Sequence, residues 1–197
     1  FKTILSKLYH WKIYVVGSVE YQYPNHLFQA GYFLDKKYYD ENTIDFKHLL
    51  LSEKNQSLLK DIQNSNSVGV HIRRGDYMTK QNLVIFGNIC TQKYYHDAIR
   101  IITEKVNDAV FYVFSDDISW VQTHLDIPNA VYVNWNTGES SIYDMYLMSS
   151  CKYNIIANST FSYWAARLNK KTNMVIYPSK WYNTFTPDIF PESWCGI

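Results

Sequence analysis

The chain has 197 residues, of which 47% are hydrophobic and 19% charged, and its formal net charge at pH 7 is +1. This composition is typical of one or two folded globular domains and excludes a disordered chain. The small net charge predicts no nucleic-acid partner, and no apolar run approaches the roughly 20 residues that a membrane-spanning helix needs. Three cysteines without metal-ligand spacing favour a reducing, cytoplasmic location.

The first sixty or so residues show no regular alternation of elements. A strand is predicted within residues 11–16, and an aromatic segment follows at residues 31–33. Apolar residues near helical spacing predict an amphipathic helix over residues 45–64. Because the chain begins with phenylalanine rather than methionine, we expect it to be a piece of a longer protein that lacks an N-terminal portion.

From residue 67 onward, predicted strands and helices alternate. Thr91 and Ser140 are the expected N-caps of two of the helices. This alternation predicts an α/β fold with a Rossmann-like parallel sheet covered on both faces, in which ligands bind beyond the carboxyl ends of the strands. The predicted strands span residues 68–72, 110–114, 131–133, 153–157 and 174–177, and the predicted helices span residues 91–106, 118–125, 140–150 and 161–168.

A first polar cluster, residues 71–77, runs off the end of the first of these strands. The planar donor fork of an arginine matches phosphate oxygens bidentately. Alternation along the strand sends Arg73 and Arg74 to opposite sides, so one is expected to face a ligand while the other forms a structural ion pair. The alternatives are a solvated turn with a surface salt bridge, or an adhesion tripeptide formed by Arg74, Gly75 and Asp76.

A second cluster, residues 114–117, ends the next strand. Asp116 and Asp117 can accept hydrogen bonds from a guanine ring or from ribose hydroxyls, and each can equally cap the following helix. Adjacent aspartates differ from the spaced acidic pair of a metal-dependent glycosyltransferase, so we predict no metal site.

A third cluster, residues 157–162, joins a strand to a helix. Free backbone amides and hydroxyls at a helix start form an anion site. Phe161 can stack on a base or pack inward, and plain N-capping is the alternative for the hydroxyls. On one parallel sheet, the three clusters are expected to converge on a single crevice.

These segments resemble the alpha-1,2-fucosyltransferases of bacteria and animals, glycosyltransferase family 11, and most closely the bacterial type. Residues 71–77 look like the family's His-x-Arg-Arg-Gly-Asp motif, and residues 114–117 with Trp120 are similar to its second motif. Asp144, residues 147–149, Cys151 and residues 154–166 match its long third motif. Residues 31–33, with Tyr38 beyond them, are similar to an earlier aromatic segment. The resemblance covers about residues 28 to 185.

The resemblance implies a two-domain GT-B fold of facing Rossmann-like halves. Residues 1–65 would be the remnant of an N-terminal, acceptor-side domain, and residues 66–197 would form the domain that binds GDP-fucose. The family's usual Gly-Gly-Leu-Gly-Asn-Gln loop is absent, in keeping with a missing N-terminal domain.

The resemblance also implies roles for individual residues. Arg74 would hold the pyrophosphate of the donor, together with Arg73, and would be catalytic. Asp76 is a candidate base, although a role in orienting an arginine is favoured. The donor site would comprise His71, Arg73, Arg74, Asp116, Asp117, Asn158, Ser159, Thr160 and Phe161.

The implied reaction moves L-fucose from GDP-fucose to the 2-hydroxyl of a terminal beta-galactoside, with inversion and without a metal or other cofactor. The acceptor would be a galactose-terminated oligosaccharide or a glycolipid, which allows peripheral attachment to the inner face of the cell membrane. Three alternatives remain: a nucleotide-sugar-binding fragment without activity, a glycosyltransferase of the same fold with another donor, and a non-enzymatic adhesion protein.

Overall fold

The computed structural model describes residues 45–197, together with the backbone of two short strands, Tyr14–Val16 (β1) and Phe28–Ala30 (β2). β1 and β2 pair in parallel. The strand predicted within residues 11–16 is therefore confirmed for its last three residues, whereas the aromatic segment at residues 31–33 lies outside the described residues.

The chain divides into two compact units, residues 1–43 with 187–189, and residues 44–186 with 190–197. The larger unit is built on a six-stranded parallel sheet with the order β5-β4-β3-β6-β7-β8. The predicted α/β, Rossmann-like class is confirmed. The strands are Asn66–Ile72 (β3), Ala109–Ser115 (β4), Ala130–Val133 (β5), Tyr153–Ile155 (β6), Met174–Tyr177 (β7) and Cys195–Gly196 (β8).

Helices cover both faces of the sheet. On one face, α3 and α4 pack against alternate residues of the central strands, such as Val70 and Val113, and on the other face α1, α5 and α6 pack against Tyr112 and Phe114. The helices are Glu53–Asn64 (α1), Lys80–Phe86 (α2), Gln92–Thr103 (α3), Ile118–His124 (α4), Ser141–Ser149 (α5) and Thr160–Arg167 (α6), and the turns Gly75–Met78 and Gly138–Ser140 are 3₁₀ helices. Among the residues the structure describes, no helix has both the length and the apolar character needed to cross a bilayer.

The helix start predicted at residue 45 is wrong, the start at Ser140 is confirmed in position but not in its capping bond, and the start at Thr91 is confirmed. The helix predicted from residue 45 begins at Glu53, because the Ser52 hydroxyl accepts a hydrogen bond from the Asn55 amide and caps it there. Ser140 makes no capping bond and continues a 3₁₀ turn into α5. Thr91 caps α3 as predicted, with its hydroxyl accepting from the Tyr94 amide.

Helix α2 was not predicted. Its last turn is held by Asn183, whose side-chain amide donates to the carbonyl oxygens of Val84 and Gly87 at 2.9 and 3.2 Å. These partners are about one hundred residues apart in the chain, so periodicity within residues 80–86 does not reveal them.

The sheet-bearing unit includes α1. Leu58 and Ile62 of this helix are buried in the same cluster as Phe114. The unit therefore begins earlier in the chain than residue 66, where the predicted donor domain starts. The assignment of the preceding residues to an acceptor-side domain stays a prediction.

Candidate functional site

A cavity of about 530 Å³ opens at the carboxyl edge of the sheet. Its wall includes residues from all three polar clusters, namely Arg73 after β3, Asp116 after β4 and Phe161 in α6. β3 lies between β4 and β6, so the strand ends that carry these clusters are neighbours. The three clusters therefore meet at one cavity.

His71 lies on the floor of this cavity. It is the second-last residue of β3, it is 5% exposed, and its ring centroid is 5.0 Å from that of Phe161. Burial, and secondarily the charge of Arg73, lowers the His71 pKa to about 3, so the imidazole is neutral at neutral pH. Its Nδ1 atom is buried and has no hydrogen-bond partner within the described chain. Buried polar atoms are usually hydrogen-bonded, so this one is an exception within the described residues.

Arg73 lines the same cavity and is held by two carboxylates. Its Nε and Nη2 donate to Asp76 Oδ1 at 3.1 and 2.7 Å, and Nη1 is 3.1 Å from Asp116 Oδ2. Asp76 itself is exposed and is not part of the cavity wall. This geometry corresponds to the arginine-orienting role of Asp76, one of the two roles considered for it.

Arg74 points elsewhere. Its guanidinium carbon is 3.6 Å from the centroid of the Trp120 ring, and its Nε donates to Asp117 Oδ2 at 3.2 Å. It lines a second cavity of about 230 Å³, to which Arg73 and Asn158 also contribute. Both arginines follow Ile72, the last residue of β3, and of the two only Arg73 lines the large cavity with His71. Which of them faces a ligand stays a prediction.

The two adjacent aspartates have different partners. Asp117 caps α4, because its side chain accepts from the Trp120 amide at 3.1 Å. Asp116 faces the large cavity, and its Oδ1 accepts from the Arg74 backbone amide at 2.9 Å. A methyl group on Gly75 would overlap Asp116 Oδ2, so the close approach of this carboxylate requires glycine at position 75.

The third cluster contributes Phe161 to the cavity wall, while its neighbours are placed differently. The buried Asn158 side chain donates to the carbonyl oxygens of Phe86 and Trp181, which gives it a structural role. Ser159 precedes α6 but its hydroxyl makes no capping bond, and Thr160 is half-buried. The simple N-capping alternative therefore does not hold for the Ser159 hydroxyl.

The loop after β5 and the first turn of α5 form a wall that the sequence-based prediction missed. Asp144 on this wall is 8% exposed, and burial raises its pKa to about 7, opposed by a hydrogen bond from Asn136 Nδ2 at 2.6 Å. The rule that ligands bind beyond strand ends applies to β5 as well, and would have pointed to the polar run after Val133. The other residues of this wall are Asn134, Thr137, Gly138 and Ser141.

Positive charge in this part of the molecule comes from arginines. Within residues 45–197, no three His, Cys, Asp or Glu side chains are grouped so that they could hold a metal ion. Asp116 and Asp117 are each engaged by an arginine instead. Arg73 and Arg74 therefore supply the guanidinium donors that an anionic ligand would meet in these two cavities.

Comparison with curated proteins identifies several relatives. The chain is 35% identical over 196 residues to an alpha-1,2-colitosyltransferase of Escherichia coli, covering 92% of this chain and 63% of that protein. It is 44% identical over 122 residues to the O-antigen biosynthesis glycosyltransferase WbnK of Escherichia coli, covering 61% of this chain and 40% of that protein. It is 28% identical over 163 residues to the galactoside alpha-(1,2)-fucosyltransferase 2 of Pongo pygmaeus, covering 76% of this chain and 48% of that protein.

The chain thus spans less than two thirds of the length of each of these relatives. Among solved structures, the fucosyltransferase NodZ from Bradyrhizobium is similar over 60% of this chain and 42% of its own, with 18% identity and a TM-score of 0.41, which is too low to support any argument. The model of the family described as Glycosyl transferase family 11 matches residues 4–197. The chain belongs to glycosyltransferase family 11.

Proposed function

We propose that this chain forms the donor site of a galactoside alpha-1,2-fucosyltransferase, which moves L-fucose from GDP-fucose to the 2-hydroxyl of a terminal beta-galactoside with inversion. The observation that carries the proposal is the shared cavity, in which Arg73, His71, Phe161 and Asp144 line one space of about 530 Å³. This volume lies within the range of about 300–1,000 Å³ that small-molecule pockets occupy.

The buried wall of the cavity suits a guanine ring. A guanine presents N–H donors on its Watson–Crick edge, and an ionised carboxylate such as Asp144 accepts only. The Phe161 ring, which lines the cavity beside His71, supplies an apolar surface for stacking. We therefore assign base recognition to Asp144, which differs from the expectation that Asp116 or Asp117 contacts the base.

The arginine pair suits a diphosphate. Arg73 reaches both cavities, and Arg74 lies beside the smaller one, so a diphosphate that passes from the large cavity toward the small one would meet both guanidinium groups. The backbone amides at the start of α6 follow Ser159 and add the positive end of a helix dipole. Asp116 and Asp76 hold Arg73 in place before the donor binds.

In the proposed reaction, the acceptor oxygen attacks the anomeric carbon of fucose while the bond to the diphosphate breaks on the opposite face. Negative charge grows on the leaving phosphate, so an arginine at that phosphate binds the transition state more strongly than the ground state. Asp76 is exposed and bonded to Arg73, which supports a positioning role; an unchanged basic limb in the pH–rate profile of Asp76→Asn would remove it as the base.

A second donor is favoured by one specific observation. The relative that covers 92% of this chain is named an alpha-1,2-colitosyltransferase. The base and diphosphate contacts proposed above do not distinguish fucose from colitose, so both remain candidates for the transferred sugar. Turnover with GDP-fucose, GDP-linked colitose and GDP-mannose in parallel identifies the sugar, and turnover only with a UDP-sugar contradicts the proposal.

The first test is thermal stabilisation of the chain by nucleotides. GDP at about 100 times its Kd is expected to stabilise the fold by about 2.7 kcal/mol, which corresponds to a rise in Tm of roughly 5–10 °C for a domain of this size. UDP at the same concentration should give a much smaller rise, and EDTA should not reduce the effect of GDP, because arginines carry the positive charge. Equal stabilisation by UDP, or none by GDP, would refute a guanine-nucleotide site.

Gly75→Ala tests whether the Asp116 carboxylate must lie against the turn. The added methyl would overlap Asp116 Oδ2 and displace the carboxylate that holds Arg73. We expect GDP affinity to fall by about tenfold, the effect of losing one well-placed charged hydrogen bond, while the far-ultraviolet circular dichroism is unchanged. An unchanged GDP affinity in Gly75→Ala would show that Asp116 is not needed there.

A further inference from the structure

The buried amide of Asn55 lies behind the cavity wall without being part of it. This residue of α1 is 1% exposed, and within residues 45–197 its side chain bonds to the loop that follows β5. Its Nδ2 donates to Asn136 Oδ1 at 3.0 Å, and its Oδ1 accepts from Trp135 Nε1 at 2.7 Å and from Asn136 Nδ2 at 3.1 Å. The first turn of α1 is thus hydrogen-bonded to the loop after β5, and Asn136 of this loop contacts Asp144.

These bonds have a fixed direction that starts at Trp135. An indole N–H can only donate, so the atom of Asn55 that faces it must be the oxygen. The Asn55 NH₂ group then faces Asn136 Oδ1, which commits the oxygen of Asn136 and leaves its NH₂ group for Asp144, at 2.6 Å. If Asn136 were reversed, its oxygen would face the Asp144 carboxylate and its NH₂ group would face another NH₂ group.

The consequence falls on Asp144. One of its oxygens, Oδ1, is occupied by the Asn136 donor. This donor favours the ionised form of Asp144, against the opposing effect of burial, and leaves the other carboxyl oxygen as the acceptor for a ligand. Asn55 forms no hydrogen bond to the other charged or titratable residues that line this cavity, which are His71, Arg73 and Asp116.

We propose that Trp135, Asn55 and Asn136 form a positioning relay that fixes Asp144 as a hydrogen-bond acceptor, so that Asn55 determines the preference for guanine although it does not touch the nucleotide. The proposal rests on the proposed function, since it presumes that Asp144 contacts the base. The preferred ligand is a purine nucleoside diphosphate whose ring nitrogen on the Watson–Crick edge carries a hydrogen and donates, as in guanine. In adenine the corresponding ring nitrogen carries no hydrogen and accepts.

The test compares GDP and ADP affinities, by calorimetry or competition, for the wild-type chain and for Asn55→Leu. We expect the ratio of the ADP Kd to the GDP Kd to fall by about tenfold or more, the effect of weakening one hydrogen bond to a charged group. A purely structural role for Asn55 would lower Tm but leave this ratio unchanged. Trp135→Phe removes the N–H donor and keeps an aromatic ring, and it should also lower the ratio. It replaces Asn55→Leu as the test if that variant does not fold.

Asn169→Leu is the matched control. Asn169 is also a buried amide, 6% exposed, and donates to Cys151 O and Asn154 Oδ1 away from the cavity. Its replacement should lower Tm and leave the ratio intact. An unchanged ratio in folded Asn55→Leu and Trp135→Phe overturns the relay, whereas a wild-type chain with no preference for GDP over ADP and UDP overturns the proposed function itself.

Discussion

Replacement of Arg73 by alanine is expected to lower the rate of fucosyl transfer by about 100-fold or more, the usual loss when one preorganised charge at a transition state is removed. Arg73 lines the large cavity and its guanidinium is already oriented by Asp76 and Asp116, so no reorganisation is needed when the diphosphate binds. The measurement is kcat and KM with GDP-fucose and lactose, together with the Kd of GDP.

Arg74→Ala is the companion variant, because the family resemblance favours Arg74 as the residue that holds the pyrophosphate. It should also abolish most transfer, and Arg74→Lys should rescue it poorly, since an ammonium cannot form the planar donor fork. The arginine whose loss weakens GDP binding more makes the stronger contact with the diphosphate. We expect this to be Arg73, because it lines the large cavity. Arg100→Ala, at an exposed position on α3, controls for loss of a positive charge. Near wild-type turnover in both Arg73→Ala and Arg74→Ala would contradict the assignment of this site.

Asp144→Asn is expected to remove most of the pH dependence of GDP binding. Burial raises the Asp144 pKa to about 7 in the free protein, and the carboxylate must be ionised to accept from guanine. GDP binding below pH 7 therefore releases a proton, and the affinity of the wild-type chain should rise about tenfold from pH 6 to pH 8. The terminal phosphate of GDP also titrates near pH 6. The pH dependence of GDP affinity that remains in Asp144→Asn measures the contribution of this phosphate.

Asp144 also makes folding stability depend on pH in a direction that can be checked without ligand. Because its folded pKa is raised from 3.8 to about 7, the folded state holds a proton that the unfolded chain has released. The favourable contribution of Asp144 to the free energy of unfolding is fully present below pH 4 and is lost as the pH rises to 7. The loss amounts to up to about 4 kcal/mol. The free energy of unfolding of Asp144→Asn relative to wild type should thus increase from pH 4 to pH 7 and level off above it.

Urea denaturation of both proteins across this range provides the measurement. Asp97→Asn, at a carboxylate on α3 that lines neither cavity, should show no such rise. If the difference between Asp144→Asn and wild type is the same at pH 4 and pH 8, the Asp144 carboxyl titrates normally and its proposed burial at the base site is wrong.

Local patterns in the sequence were sufficient to predict most of the sheet and its helices. The apolar run of β4 and the cap at Thr91 depend on residues within a few positions of each other, so they can be recognised without knowing the fold. The polar clusters after β3 and β4, and the one at the start of α6, follow from the same alternation, because parallel strands end at one edge. These features predicted where a ligand would bind.

Only the tertiary structure decided which side chains face the ligand. Arg73 and Arg74 both follow the end of β3, and only the folded chain shows that Arg73 lines the large cavity while Arg74 packs on the Trp120 ring. The sequence identifies Asp144 only as part of the third motif, and its raised pKa depends on burial beside Asn136, which the fold alone provides. Asn136 is in turn held by Asn55, 81 residues earlier in the chain, so no local pattern contains this arrangement.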